Sequence, residues 1–521
     1  MPAFGPNRDK PMFKHLAKVG SNTMLSRILG FIRDLVFAHV FGANAATDAF
    51  FVAFKIPNFL RRLFAEGAFS VAFVPVLSEY KVKRSFEELK LFVDHVAGTL
   101  AGVLLAVTLV GVLGAPLLVS LFGGGFLARG DMATFWLTSD MLRITFPYLL
   151  FISLAAFAGG ILNTYNRFGV PAFTPVLLNL SLIGSAFWLA PLMDTPIKAL
   201  AWGVLIAGIV QFAFQLPFLH KLKLLPGFRF APKDEGVRRI GKLMLPALFG
   251  VSVTQLNLLI DTLIASFLQA GSISWLYYSD RLVELPVGVL GVALATVILP
   301  SLSKKHAAES REGFSDTLDW ALRWALLLGL PAAVGLLMLS GPMIATLFQS
   351  DVFDARDVAM SQRSLVAYSL GLIPFILIKI FAPGFYARQD TKTPVRIAVI
   401  AMVSNMVLNL ILVFPLAHAG LALATALSAA LNATLLYRGL RREGVYQPPG
   451  GWPLLVARAV IASLVMGLVI YLWGIELQGW LALDTWGRVT RLMGAILSAM
   501  AAYFAVLFLM GIRGRHFKSA V

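Results

Sequence analysis

Residues 25–66 read LSRILGFIRDLVFAHVFGANAATDAFFVAFKIPNFLRRLFAE. The stretch is apolar enough to enter a bilayer, yet it carries Arg27, Arg33, Asp34, Asp48, Lys55, Arg61, Arg62 and Glu66. Each charge at the centre of a membrane helix costs roughly 2.5–3.5 kcal/mol on insertion scales. So many charges cannot all face lipid; they face a protein interior or a water-filled cavity, and some of them pair. The stretch is expected to line the working cavity of a membrane transporter, with the rest of the chain building and moving that cavity.

The surrounding sequence fits this expectation. Of 521 residues, 58% are hydrophobic and 14% charged, the composition of an all-α polytopic membrane protein with no room for a large soluble domain. There is no cysteine, which excludes disulfides, thiolate metal sites and cysteine nucleophiles. The net charge of +17 points first to basic cytoplasmic loops rather than to nucleic acid. Residues 1–20 are basic but lack an apolar core and a small-residue cleavage site. No removable signal peptide is expected, and the first span serves for insertion.

Hydropathy and length place about 14 spans, the first near 22–42 and 47–78 and the last near 458–475 and 488–512. With the N-terminus taken as cytoplasmic, loops on that side hold 29 Lys and Arg against 4 in the opposite loops. Such a bias fits an even span count and two cytoplasmic termini. Asp34 and Asp261 lie 227 residues apart, Pro57 and Pro286 229, and Pro171 and Pro394 223. These offsets suggest two six-helix lobes of like orientation, with a substrate site at their interface. The expected division is an N-terminal lobe at 1–219, a basic linker at 220–241, a C-terminal lobe at 242–440, and two further helices with a tail at 441–521. The linker mixes cations with Leu and Phe and reads either as an amphipathic segment on an anionic membrane face or as an ordinary cytoplasmic loop. Gly123-Gly124-Gly125 follows no strand and reads as a turn, not a phosphate loop.

On a helix, positions seven apart share a face. Arg27 and Asp34 are so spaced, and one stripe of the second span alternates in sign through Asp48, Lys55, Arg62 and Glu66. Pro57 interrupts that ladder. The eighth span adds Asp280, Arg281 and Glu284. Cations exceed anions in the first two spans, and a net positive cavity wants an anion. Arginine binds phosphate through a planar fork of donors and stays charged at any depth, so a membrane-borne diphosphate is the matching cargo. For Arg62, Glu66 and Asp280, interhelical ion pairing is an equally good account; for Arg27, Arg33, Arg61 and Arg281 the cation excess favours substrate binding. Ser26, Ser274 and Tyr277 could line the cavity, although serine in membrane helices commonly serves packing. Asn405, Asn409 and Thr425, with Asp261, could coordinate a small cation or simply hydrogen-bond between helices. No metal motif appears.

Five runs carry a resemblance: Ser26–Asp34 (SRILGFIRD), Thr47–Phe51 (TDAFF), Pro57–Phe69 (PNFLRRLFAEGAF), Tyr278–Leu282 (YSDRL) and Ala382–Asp390 (APGFYARQD). Through them the chain resembles the MurJ (MviN) family of lipid II flippases, within the MOP transporter superfamily, along nearly its whole length. The resemblance implies a 14-helix inner-membrane protein of a bacterium, with both termini cytoplasmic. Two six-helix lobes would enclose a central cationic cavity, and helices 13 and 14 would form a lipid-tail groove. It implies translocation of undecaprenyl-diphosphate disaccharide-pentapeptide from the cytoplasmic to the periplasmic leaflet for peptidoglycan synthesis, and no enzymatic activity. By motif position, Arg27, Arg33, Arg61 and Arg281 would bind substrate along with Ser26 and Ser274. Asp34, Asp48, Lys55, Arg62, Glu66 and Glu284 would shape or gate the cavity. No cofactor is implied, with monovalent ion coupling or membrane potential as energy source. A sodium site would fall at Asp261, Asn405, Asn409 and Thr425, where Asn409 stands at a position that can hold a carboxylate. Expected partners are lipid II, membrane lipids and cell-wall synthesis proteins. Two rivals stay open at this point: an exporter of another cargo, such as a different polyprenyl-diphosphate oligosaccharide or a cationic drug, and a membrane-embedded glycan ligase or glycosyltransferase.

Overall fold

A computed structural model describes residues 9–513, and every regular element among them is helical. By contact the chain falls into two compact units, Met1–Ala270 and Gly271–Val521. The first contains α1 (Asp9–Phe41), α2 (Ala45–Leu60), α3 (Ser70–Lys83), α4 (Phe86–Leu113), the short α5 (Ala115–Phe122) and α6 (Gly124–Ala128), α7 (Met132–Thr145), α8 (Tyr148–Thr164), α9 (Gly169–Gly184), α10 (Lys198–Lys221) and α11 (Glu235–Ser266). The second contains α12 (Ser272–Pro286), α13 (Val292–Ala307), α14 (Arg311–Met338), α15 (Ser340–Phe348), α16 (Ala355–Ser369), α17 (Leu372–Tyr386), α18 (Lys392–Leu416), α19 (His418–Arg442), α20 (Trp452–Leu472), α21 (Leu477–Leu481) and α22 (Thr485–Leu509).

Polar side chains set the helix starts. Asn44 accepts from the backbone N–H groups of Ala46 and Thr47 to begin α2. Ser85 with Glu88 and Asp354 with Asp357 form reciprocal capping boxes at α4 and α16. Each satisfies backbone donors that a helix start leaves without partners.

Three helices that hold an internal proline run on into a wider, π-helical stretch; in α9, which holds Pro175, it is Ser185–Leu189. Past Pro57, α2 runs into a π-helical segment, Arg61–Phe69, before α3; past Pro286, α12 runs into a second, Val287–Gly291, before α13. Proline removes one N–H and crowds the preceding turn, and a wider turn accommodates the break. The seven-residue stripe expected for Asp48, Lys55, Arg62 and Glu66 therefore does not hold past residue 60, because each π turn takes up about one extra residue. The Glu66 side chain lies outside the described residues.

Ten helices or continuous helical runs among the described residues are long and apolar enough to cross a bilayer. An eleventh results if α16 and α17, bent by 41°, count as one span. Three other long runs, 9–41, 45–83 and 235–266, fall outside that count. The first two hold the charges of residues 27–66 that lower their hydropathy. The expected number of about fourteen is reached only when these three are spans as well.

In the first unit α1 packs on α9, α2 on α7, and α10 against α8 and α9; α11 lies against the Arg61–Phe69 segment and α3. Its aromatic core stacks Phe69 on Phe73 (5.0 Å between ring centres) and Phe73 against Phe157 (5.1 Å), with Phe92 beneath. Phe73→Ala is expected to cost about 3–5 kcal/mol of stability through lost contacts and a residual cavity. Thermal unfolding in detergent measures it.

In the second unit α18 pairs with α19, α12 packs on α16, α14 contacts both α17 and α20, and α20 packs on α22. Asp319 of α14 pins the start of α20. One carboxylate oxygen accepts from the Tyr446 hydroxyl (2.9 Å) and the Trp452 indole N–H (2.7 Å), and the other pairs with Arg323 Nε (2.6 Å). Burial, and then the Asp319 charge, push the Tyr446 hydroxyl far above its ordinary value, so it remains a donor.

The basic linker divides between an irregular stretch and the first turns of α11. Residues 224–231 run extended, without helix, and lie on α4. The Gly123–Gly125 run opens the short α6 rather than a simple turn.

Candidate functional site

On α1, Arg33 is the centre of a buried polar group. Its Nε and Nη2 both reach Asp34 Oδ1, at 2.9 and 2.6 Å, and its Nη1 donates to Asn179 Oδ1 at 3.0 Å. Asp34 is 2% exposed and the Arg33 side chain 12%. Asn179 then donates from Nδ2 to the carbonyl of Ser26 at 2.9 Å. One amide of α9 thus ties the guanidinium to the backbone about two turns earlier on α1. The seven-residue spacing that matched Asp34 with Arg27 gives way to the adjacent Arg33, whose side chain folds back onto the carboxylate. Arg27 itself is exposed on α1, and among the described residues it joins no ion pair.

Along α2, Asp48 is buried in the first turn. Lys55 donates from Nζ to Thr262 Oγ1 of α11 at 2.8 Å. Arg61, at the start of the π-helical segment, donates from Nε to Asn58 Oδ1 at 2.9 Å. Arg62 is half-buried beside it.

In the second unit, Ser274 is buried on α12 and Arg281 lies seven residues on. Arg281 Nη1 pairs with Glu284 Oε2 at 2.5 Å, and its guanidinium sits over the Tyr277 ring at 4.7 Å. Arg281 is 31% exposed and Glu284 56%. Asn409 Nδ2 donates to Asn405 Oδ1 at 3.0 Å, and Asn405 Nδ2 reaches Thr425 Oγ1 at 3.4 Å. Asp261, in the first unit, accepts from Asn257 Nδ2 at 3.5 Å. Among the described residues no three His, Asp or Glu side chains group as a metal site. An apolar groove of about 400 Å³ runs between α14 and α20, lined by Leu330, Val334, Met338, Leu464, Leu468 and Tyr471.

Three polar partners were not singled out from sequence: Asn179, Thr262 and Asn58. Each is a neutral side chain in an apolar helix, and its role shows only when the helix it serves is known. Asn179→Leu removes a hydrogen bond to a charged group, worth about 1.5–3 kcal/mol, and is expected to lower transport about tenfold or more without loss of protein from the membrane. A transport assay normalised to protein level checks it.

Membrane-length helices that carry arginines within apolar runs, in two units, fit a multi-pass membrane protein of the transporter class. The fold is shared with an inward-facing multidrug resistance MATE family transporter of the MOP superfamily, at TM-score 0.67 and 15% identity over 82% of this chain and 98% of that one. A solved lipid II flippase MurJ in an inward closed conformation superposes at TM-score 0.80, with 30% identity over 95% of this chain and 99% of that chain. A probable lipid II flippase MurJ of Haemophilus influenzae is 49% identical over 505 residues, covering 95% of this chain and 99% of that protein. The lipid II flippase MurJ of Burkholderia cenocepacia is 43% identical over 513 residues, covering 97% and 99%. The family model for lipid II flippase MurJ matches residues 37–486. The chain belongs to the lipid II flippase MurJ family.

Proposed function

We propose that this protein is a lipid II flippase of the bacterial inner membrane, moving undecaprenyl-diphosphate-linked disaccharide-pentapeptide from the cytoplasmic to the periplasmic leaflet by alternating access. The observation that carries the reading is kinship to lipid II flippases along almost the whole chain, at up to 49% identity among the relatives described. It makes the chain a transporter rather than an enzyme, and it leaves neither rival cargo nor ligase chemistry favoured.

In this reading Arg27, Arg33, Arg61 and Arg281 hold the diphosphate, with Ser26 and Ser274 nearby. A diphosphate accepts paired N–H donors from a planar guanidinium better than from an ammonium. Asp34 and Glu284 hold Arg33 and Arg281 when no lipid is bound, which limits the cost of a buried cation without a counter-charge. Asp48, Lys55, Arg62 and Glu66 shape the same polar lining. The prenyl tail stays in the bilayer along the two C-terminal helices α20 and α22; the groove that α20 makes with α14 adds an apolar surface beside them. The bias of Lys and Arg between alternate loops supports cytoplasmic termini. A monovalent cation at Asp261, Asn405, Asn409 and Thr425, or the membrane potential at roughly 2.3 kcal/mol per charge per 100 mV, would drive the cycle.

The test is a leaflet-accessibility assay for lipid II in cells depleted of their own flippase and complemented with this chain. Restored outer-leaflet lipid II is the expected result. Continued inner-leaflet accumulation with the protein present in the membrane would sink the reading.

A further inference from the structure

The second unit holds one further cation within an apolar run. Helix α17 reads LIPFILIKIFAPGFY, with Lys379 as its one charged residue. Lys379 is exposed, and among the described residues no ion pair or hydrogen bond holds it. Its stem lies across the π-helical stretch Val287–Gly291 that continues α12. A Cβ on Gly291 would stand 3.3 Å from Lys379 Cγ and 3.6 Å from its Cβ, so glycine there makes room for the stem. A cation in an apolar membrane helix is costly against lipid and turns instead to a water-filled cavity or an anionic partner.

Gly291 follows Arg281 by ten residues along one helical run, about 15 Å of axis at 1.5 Å per residue. A ligand held at Arg281 by its diphosphate would therefore meet Lys379 with a different part of itself. The substrate proposed above has a second kind of anion to offer. Its pentapeptide ends in a carboxylate, and the disaccharide lies between the peptide and the diphosphate. The side chains match these two groups. Arginine's planar fork suits the paired oxygens of a phosphate, whereas a lysine ammonium is a compact point charge that one carboxylate satisfies. We propose that Lys379 binds a carboxylate of the peptide stem, so that the second unit selects its cargo by the peptide as well as by the diphosphate. This rests on the flippase reading above and deepens it.

The test compares two cargoes in vesicles that hold the full-length protein: lipid II, and lipid II whose peptide carboxylates have been converted to amides. The parent chain is expected to reach half its maximal rate at an about tenfold lower mole fraction of lipid II than of the amide form. Lys379→Gln keeps most of the length and loses the charge, and it should move both cargoes as the parent moves the amide form. Lys379→Arg should restore the preference, and Arg281→Ala should slow both cargoes alike. The proposal is overturned if the parent treats the two cargoes alike, if Lys379→Gln keeps the parent's preference, or if Lys379→Gln weakens both cargoes equally. Should the parent move neither cargo, the flippase reading falls. Binding of the two lipids to the parent and to Lys379→Gln in detergent then judges Lys379 alone, by the same tenfold preference.

Discussion

Arg281→Ala is expected to lower lipid II translocation by about a hundredfold or more while the protein still inserts and accumulates. The pair that Arg281 makes with Glu284 is half in solvent, and an ion pair of that kind contributes only about 0–1 kcal/mol to folding. Its geometry nevertheless aims the guanidinium: Tyr277 carries it on one face and Glu284 holds one nitrogen. The control is Glu284→Gln. If the pair were merely structural, losing either partner would do equal damage. If Arg281 serves the diphosphate, Glu284→Gln keeps most of the transport and Arg281→Ala none of it. The measurement is outer-leaflet lipid II per unit of membrane protein, and equal losses in the two variants would defeat the assignment.

The contrast between these two residues also shows how far sequence alone carried the account. Arg281 and Glu284 are three apart on one helix, so their pairing follows from periodicity. Span positions were likewise legible, as at α22, expected near 488–512 and found at Thr485–Leu509, because apolar length is a local property. The wider turns after Pro57 and Pro286 were not, since one extra residue per turn leaves hydropathy unchanged while rotating every later side chain. Asn179 was missed for a different reason. It lies 146 residues from Arg33, and nothing in an apolar helix marks which amide will meet a charge. Gly98 is likewise an ordinary small residue of a span until the extended segment at Arg229 that crosses it is seen.

Arg33→Ala should show a larger structural effect than Arg281→Ala, because it leaves Asp34 buried at 2% exposure without its charge partner. Removing one member of a buried pair costs about 3–5 kcal/mol, most of it the burden of the carboxylate left behind. Lower melting temperature and lower membrane abundance are expected along with lost translocation, so the single variant does not separate folding from function. The double variant Arg33→Ala/Asp34→Ala does. With both charges gone the burial penalty disappears, and stability should return to within about 1 kcal/mol of the parent. Translocation should stay at background, since no guanidinium remains at that position to meet a phosphate. Recovery of transport together with stability would mean that Arg33 serves only to neutralise Asp34, and the diphosphate would then have to be held elsewhere.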